Sequence, residues 1–280
     1  ADGQSARAGN TVATLTGDMR SILRVERTLL NLVSRLSGIA TRSAMFVSAA
    51  KAGGGTAGVF DTRKTTPGLR VLEKYAVRCI QGNYEESLAN RLEDCGCGYT
   101  HPRDNHYAQL SYDYTNRNLS EENRARLSAF PRQIQFRLGS RTVHLCHGSP
   151  RRINEFLWET TTSDGFLQAT ATTLACDILC CTHSGLHWFR EFAPGKWIVN
   201  AGVVGRPPND GERDVWYAEL ADGPLQPETR FVRVAYDWQA LVREMTDENL
   251  PEEFIETIRS GWWTTCLEIL PGKERMKGKY

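Results

Sequence analysis

The sequence predicts an α/β fold, because helical and strand-like patterns both occur along the chain. Apolar residues recur at three- and four-residue steps over residues 22–36 and again over residues 238–258, which is typical of amphipathic helices. Short apolar runs rich in β-branched residues fill much of the chain between residues 134 and 235. The run 142–146 is followed directly by His147, and the run 177–181 is followed after one residue by His183. Sites in open α/β sheets gather at such strand ends.

The bulk composition limits the possible partners. The 280 residues include 34 Lys and Arg against 33 Asp and Glu, so net charge gives no reason to expect nucleic acid or a membrane surface as partner. No run of about 18 apolar residues occurs, and the first residues lack the apolar core of a signal peptide. These observations favour a cytoplasmic protein that acts on a small molecule, and they leave its oligomeric state open.

The front of the chain reads as a partial α/β unit. A short strand is predicted first, then a long helix that continues after a bend at Gly38, then a buried strand and a further helix. The predicted ranges are 10–16, 22–36, 40–51, 58–60 and 69–77.

The character of the sequence changes near residue 80, which predicts a boundary between a segment of residues 1–79 and a body of residues 80–280. Residues 95–118 are polar and rich in Tyr, and we expect them to be irregular. A helix should begin after Ser120. Strands are predicted at 134–138, 142–146, 177–181, 197–200, 215–220 and 230–235. Two closing amphipathic helices are predicted at 238–245 and 252–258.

Eight cysteines are present, and a long chain without an export signal predicts free thiols rather than a disulfide framework. Two short groups, Cys95-Gly-Cys97 and Cys180-Cys181-Thr-His183, suggest zinc as an alternative, although neither has the usual two-residue spacing. The other interpretation is that the cysteines of the strands are small apolar fillers of the core.

Three short motifs in the rear body carry a family resemblance. They are Gly82-Asn83-Tyr84-Glu85, Cys146-His147-Gly148-Ser149-Pro150 and Cys181-Thr182-His183-Ser184-Gly185, each expected after an apolar strand. In this order they resemble the latter half of the calcineurin-like metallophosphoesterases. The resemblance implies a metal-dependent phosphoester hydrolase on a β-sandwich flanked by helices.

The resemblance also implies roles for single residues. Asn83, His147 and His183 match metal ligands, and Tyr84 stands where many members have a histidine that protonates the leaving group. The family's last ligand is replaced by Gly185, so either His187 serves instead or that ligand is absent. Mn, Fe or Zn would suit such donors. A neighbouring pair of cations, Arg151 and Arg152, would hold phosphate oxygens or would simply form a solvated loop.

One departure weakens this expectation. The family pattern begins with an Asp-x-His motif and a bridging Asp, and no Asp-x-His occurs before Asn83. The first strands of the fold would then be replaced by the front segment.

The front segment resembles a different family. The stretches Arg24-Val25-Glu26-Arg27-Thr28-Leu29-Leu30-Asn31 and Asp61-Thr62-Arg63-Lys64-Thr65-Thr66-Pro67-Gly68 are similar to quinolinate phosphoribosyltransferase. The resemblance implies that Arg27, Arg63 and Lys64 bind substrate carboxylates, for which guanidinium groups are well suited. The family's Asn-His-Arg and its donor-binding residues do not follow Arg78, and a (β/α) barrel cannot close on one or two units.

Together these patterns predict a chimera-like chain whose main activity is metal-dependent hydrolysis of a small phosphorylated substrate, weakened by the missing motif. Two alternatives stay open. The front segment could carry nicotinate-nucleotide diphosphorylase activity, or the chain could be non-catalytic.

Overall fold

The computed structural model describes residues 79–276. The chain divides into two units, Ala1–Cys79 and Ile80–Tyr280, and the description below concerns the second. The elements predicted at 10–16, 22–36, 40–51, 58–60 and 69–77 lie outside the described residues.

A mixed sheet of five strands forms the centre of the body, in the order β1-β2-β3-β5-β4. The three central strands run parallel, and the two edge strands pair antiparallel with their neighbours. The bounds are β1 Gln133–Leu138, β2 Arg141–Cys146, β3 Ile178–Cys181, β4 His187–Ala193 and β5 Lys196–Ala201. A second sheet is the antiparallel pair of β6 Val215–Ala221 and β7 Glu228–Val234.

The central strands form because their side chains are buried in the core. Val143, Ile178 and Ile198 are fully buried, one on each parallel strand. Continuous apolar runs are typical of parallel strands that are covered on both faces. Within the described body, the strands predicted from the sequence are confirmed, but β4 was not predicted. Its sequence after His187, Trp188-Phe189-Arg190-Glu191-Phe192, does alternate in the way that is typical of a strand.

Seven helices surround the sheets in the described part of the chain. Their bounds are α1 Asn83–Ala89, α2 Pro102–Arg117, α3 Glu121–Ser128, α4 Asp164–Thr173, α5 Trp238–Asp247, α6 Glu252–Ser260 and α7 Gly272–Arg275. The predicted helix after Ser120 is confirmed, and the Ser120 hydroxyl accepts a hydrogen bond from the Asn123 amide as an N-cap. None of the helices within residues 79–276 is long and apolar enough to cross a membrane.

The expectation that residues 95–118 are irregular is wrong, because Pro102–Arg117 form a helix of 16 residues. His101 caps its first turn, and Pro102 at the first position suits a helix start. The buried residues are Asp104, Ala108 and Tyr112, one every four positions. So narrow a buried stripe, in an otherwise polar helix, gives no clear apolar periodicity in the sequence.

The prediction of free thiols is wrong for one pair, because Cys95 and Cys97 form a disulfide. Cys146, Cys176 and Cys181 have free thiols and belong to the buried apolar cluster of the sheet. Burial raises the pKa of Cys176 to about 11, so its thiol is neutral near pH 7. Within residues 79–276 no three His, Cys, Asp or Glu side chains gather as a metal site.

A pair of acidic side chains lies where α2 meets the chain near residue 268. Asp104 is about 1% exposed, and burial together with its contact to Glu268 raises its pKa to about 7. The nearby Asp104 carboxyl group lowers the pKa of Glu268 to about 2, and Arg103 lies 3.3 Å from the same carboxylate. The two carboxyl groups therefore share one proton in weakly acidic solution.

We expect this pair to make stability fall as the pH rises through 7. The folded-state pKa of Asp104 lies above its unfolded value, so its proton stabilises the fold at low pH and this stabilisation is lost through about pH 7. In urea unfolding, the free energy of unfolding of Asp104→Asn should rise relative to that of the parent by about 1–2 kcal/mol when the pH is raised from 5 to 8. Asp113→Asn on the same helix controls for the loss of a charge, and equal pH profiles of Asp104→Asn and the parent would contradict the expectation.

Candidate metal centre

Three polar side chains meet where β2 and β3 end and α1 begins. His147 directly follows β2, His183 is the second residue after β3, and Asn83 is the first residue of α1. His147 Nε2 lies 2.9 Å from Asn83 Oδ1 and 3.0 Å from His183 Nδ1. No strand lies in residues 79–82 directly before Asn83, and the residues before Cys79 lie outside the described part of the chain.

His183 is held in one orientation by its surroundings. Its Nε2 lies 3.2 Å from the Cys97 carbonyl oxygen, and its ring packs on Phe156 at 4.3 Å between centroids. A carbonyl oxygen only accepts, so His183 Nε2 carries the proton and Nδ1 presents a lone pair in the neutral ring. The loop is tied to its neighbour because the Thr182 amide donates to the His147 carbonyl at 2.8 Å.

Asn83 is oriented by the loop that the disulfide closes. Its amide nitrogen donates to the Cys95 carbonyl oxygen at 2.8 Å and approaches Cys97 Sγ at 3.3 Å. This arrangement turns Asn83 Oδ1 toward His147. Sequence analysis considered Cys95 and Cys97 as zinc ligands, whereas the structure uses their backbone carbonyls to position two other side chains.

The geometry of these three atoms fits a cation. Asn83 Oδ1 and His183 Nδ1 are both acceptors, yet both contact His147 Nε2, which carries at most one proton. Donors that bind one divalent ion at about 2.1 Å in right-angled positions lie about 3 Å apart. His147 Nε2 lies at this distance from each of the other two atoms. Two imidazoles and one amide oxygen could therefore hold a metal ion here.

Glu85 supports the same site, although the sequence alone assigns it no role. The side chain is buried, and its Oε2 accepts a hydrogen bond from the Gly82 amide at 3.0 Å, which caps α1. A Cβ atom on Gly82 would lie 2.8 Å from this oxygen and 3.1 Å from His147 Nδ1. The carboxylate and the rear nitrogen of His147 thus flank the same glycine, and carboxylates behind ligating histidines commonly orient them.

Tyr84 points to α2 through its hydroxyl group, which donates to the Ala108 carbonyl oxygen at 3.3 Å. Its ring meets Tyr112 edge-on at 5.7 Å. Tyr84 directly follows Asn83 in the sequence, but its described hydrogen bond directs the hydroxyl group to α2 and not to Asn83, His147 and His183. Its catalytic role stays a prediction.

Arg151 lies near His147 but is engaged. Its guanidinium pairs with Glu155, with a distance of 2.8 Å from Nε to Oε2, and stacks over Phe166 at 4.3 Å. Together with Arg132, Arg152 and His147 it lines a small cavity of about 50 Å³. A phosphate-binding role would require Arg151 to share its charge with Glu155.

His187 makes its described ring contacts with the second sheet. Its ring packs against Trp216 at 4.8 Å and Phe231 at 4.7 Å, and burial lowers its pKa. The ring contacts and hydrogen bonds described for residues 79–276 include none between His187 and His147 or His183. The predicted carboxylate-binding residues Arg27, Arg63 and Lys64 lie outside the described residues.

The front of the chain matches a known family. The models for the N-terminal and C-terminal domains of quinolinate phosphoribosyl transferase match residues 1–37 and 39–111. A probable nicotinate-nucleotide pyrophosphorylase from Methanothermobacter thermautotrophicus is 43% identical over 107 residues, covering 38% of this chain and 36% of that protein. One from Synechocystis is 56% identical over 77 residues, covering 28% and 25%. The chain thus spans about a third or less of the relatives' length.

The comparison with solved structures concerns a larger share of the chain. A hypothetical protein from Pyrococcus horikoshii OT3 aligns with a TM-score of 0.56 and 20% identity, covering 71% of this chain and 79% of that one. A metallophosphoesterase from Sphaerobacter thermophilus aligns with a TM-score of 0.48 and 19% identity, covering 65% and 76%. The Pyrococcus likeness shows a shared fold. The predicted α/β fold class and the composite character of the chain are confirmed.

The glycine after His147 should be essential to the geometry of its loop. A Cβ on Gly148 would lie 2.6 Å from the Ile153 carbonyl oxygen and 2.7 Å from the Glu155 amide nitrogen, both backbone atoms. Gly148→Ala should therefore destabilise the body by about 2 kcal/mol or more in urea unfolding. Gly165→Ala is the matched control, because nothing lies within 4 Å of its added Cβ and alanine favours helix α4. Equal stabilities of the two variants would contradict this account.

Proposed function

We propose that the rear body is a metal-dependent phosphoester hydrolase that binds one divalent ion, Mn, Fe or Zn, through Asn83, His147 and His183. The convergence of Asn83 Oδ1 and His183 Nδ1 on His147 Nε2 carries this proposal. The order of the three motifs along the sequence, which resembles that of the calcineurin-like metallophosphoesterases, supports it.

The chain's own residues would prepare this site for a substrate. A bound divalent ion supplies polarisation of a phosphoryl oxygen and a more acidic water. The Cys97 carbonyl holds the His183 ring so that Nδ1 faces the centre, and the Cys95 carbonyl does the same for Asn83 Oδ1. Arg151, from the loop after His147, would hold a phosphate oxygen. Tyr84 would protonate the leaving group only if its hydroxyl turned away from Ala108.

The proposed substrate is a small phosphorylated molecule. We propose neither nucleic acid nor a membrane as a partner of the protein, and we place the protein in the cytoplasm. The near balance of 34 basic and 33 acidic residues supports this choice. The activity should be weak, because a second ion would need the Asp-x-His motif that the sequence lacks before Asn83. His187 would not replace it in the described arrangement, since it packs against Trp216 and Phe231.

We expect metal analysis to find one tightly bound ion per chain. His147→Ala and His183→Ala should each lower the affinity for Zn or Mn by at least about 10-fold, because each removes one of three donors. His106→Ala, on the exposed side of α2, should bind like the parent. Hydrolysis of an activated aryl phosphate should be measurable only with metal and should lie orders of magnitude below that of a two-metal site.

Two results would overturn the metal proposal in different ways. Two ions per chain with fast turnover would show that further ligands complete the site. Absence of metal binding, with all three variants as stable as the parent, would favour a non-catalytic chain.

A second candidate function concerns the front segment, because residues 1–111 match the quinolinate phosphoribosyl transferase models. The family match extends to residue 111, but the family's Asn-His-Arg, which belongs to the donor-binding pattern, does not follow Arg78. We therefore expect no nicotinate mononucleotide from quinolinate and phosphoribosyl pyrophosphate in a direct product assay. Product formation that is lost in Arg63→Ala would establish the transferase instead.

A further inference from the structure

A second, larger cavity of about 340 Å³ lies beside the candidate metal centre. Its walls come from α2, from α5 and α6, and from the loops that contain Cys97 and Arg206. Small-molecule pockets in proteins usually measure about 300–1,000 Å³ and combine apolar walls with a few polar groups. This cavity has such a composition.

The cavity adjoins the three-donor cluster through shared residues. Cys97 lines the cavity, and its carbonyl oxygen is the partner of His183 Nε2. Tyr84 also lines it and directly follows Asn83. From the other side, a Cβ atom on Gly185 would lie 3.5 Å from Arg206 Nη2. One residue that lines the cavity thus contacts His183, and another is the sequence neighbour of Asn83.

The walls of the cavity are rich in aromatic rings. Tyr84, Tyr99, Tyr107 and Phe254 line it, and Tyr107 meets Phe254 edge-on at 5.8 Å. The phenol groups have partners in the protein, since Tyr107 donates to Glu253 at 2.6 Å and Tyr84 to the Ala108 carbonyl oxygen. Burial raises the pKa of Tyr99, which keeps this phenol neutral. Such walls favour a planar aromatic ligand, which gains from edge-to-face contacts.

Arg206 places one positive charge at this aromatic surface. Its guanidinium stacks on the Trp263 ring at 3.6 Å, which fixes its position. The ion pairs recorded within residues 79–276 include none to Arg206. Arg151, in contrast, is paired with Glu155. A guanidinium without a carboxylate partner among these residues is suited to an anionic ligand group.

We propose that this cleft binds the aromatic group of a phosphate monoester, with Arg206 pairing with the ester's anionic phosphate. The role of this ligand as a substrate rests on the proposed hydrolase function, whereas its binding depends only on the cleft. The cleft would then select aryl over short alkyl phosphates.

Isothermal titration of the full chain with phenylphosphonate and methylphosphonate tests this proposal, because neither compound has a phosphoester bond to hydrolyse. Titrations are run with and without added Zn or Mn. The parent should bind phenylphosphonate at least about 10-fold more tightly than methylphosphonate, which is equivalent to about 1.4 kcal/mol. Arg206→Gln should lower the affinity for both compounds, and Phe254→Leu should lower it mainly for phenylphosphonate.

Arg213→Gln is the matched control, because Arg213 also stacks on a tryptophan, Trp238 at 4.8 Å, but does not line the cleft. Thermal unfolding checks that every variant is folded. Equal binding of the two phosphonates by a metal-loaded parent would overturn the inference and leave the metal proposal intact. So would an unchanged affinity in Arg206→Gln together with an unchanged preference in Phe254→Leu. An aryl preference without metal binding would support the cleft and reject the hydrolase.

Discussion

The parallel pairing of β2 with β3 is the constraint on which the candidate site depends. Val143, His144 and Leu145 are in register with Ile178, Leu179 and Cys180, so the two strands end side by side. Their carboxyl ends therefore bring the following loops together, and the hydrogen bond from the Thr182 amide to the His147 carbonyl joins them. A shift of one residue would turn the strand side chains to the opposite face and expose the core. Burial of the apolar strands thus fixes the distance between the two histidines.

The second constraint is local and lies in the loop that the disulfide closes. This loop contributes two backbone carbonyl groups, one to Asn83 and one to His183. Backbone carbonyls only accept hydrogen bonds, so they determine which atom of each side chain faces the centre. The same loop reaches the aromatic cleft through Cys97. One short segment therefore orients the donors and contributes to the neighbouring binding surface.

Two arginines near the site, Arg151 and Arg206, differ in whether a carboxylate of the protein pairs with them. Arg151 is paired with Glu155 and stacks on Phe166, so its charge is largely compensated within the protein. Arg206 stacks on Trp263 without an ion pair to residues 79–276, so its charge remains for a ligand. Proximity to a histidine motif singled out Arg151 in the sequence. The partner of each guanidinium, which only the fold shows, indicates Arg206 as the better anion-binding group.

Most strands of the described body can be predicted from the sequence, because buried parallel strands must be continuous and apolar. The sequence also singled out Asn83, His147 and His183, whose motifs are short and local and whose side chains the fold brings within hydrogen-bond distance. It did not identify helix α2, whose buried residues form too narrow a stripe for a periodicity signal. Nor did it show that His187 packs against the second sheet or that Cys95 and Cys97 pair. These features depend on contacts between residues distant in sequence or on backbone geometry, which only the tertiary structure decides.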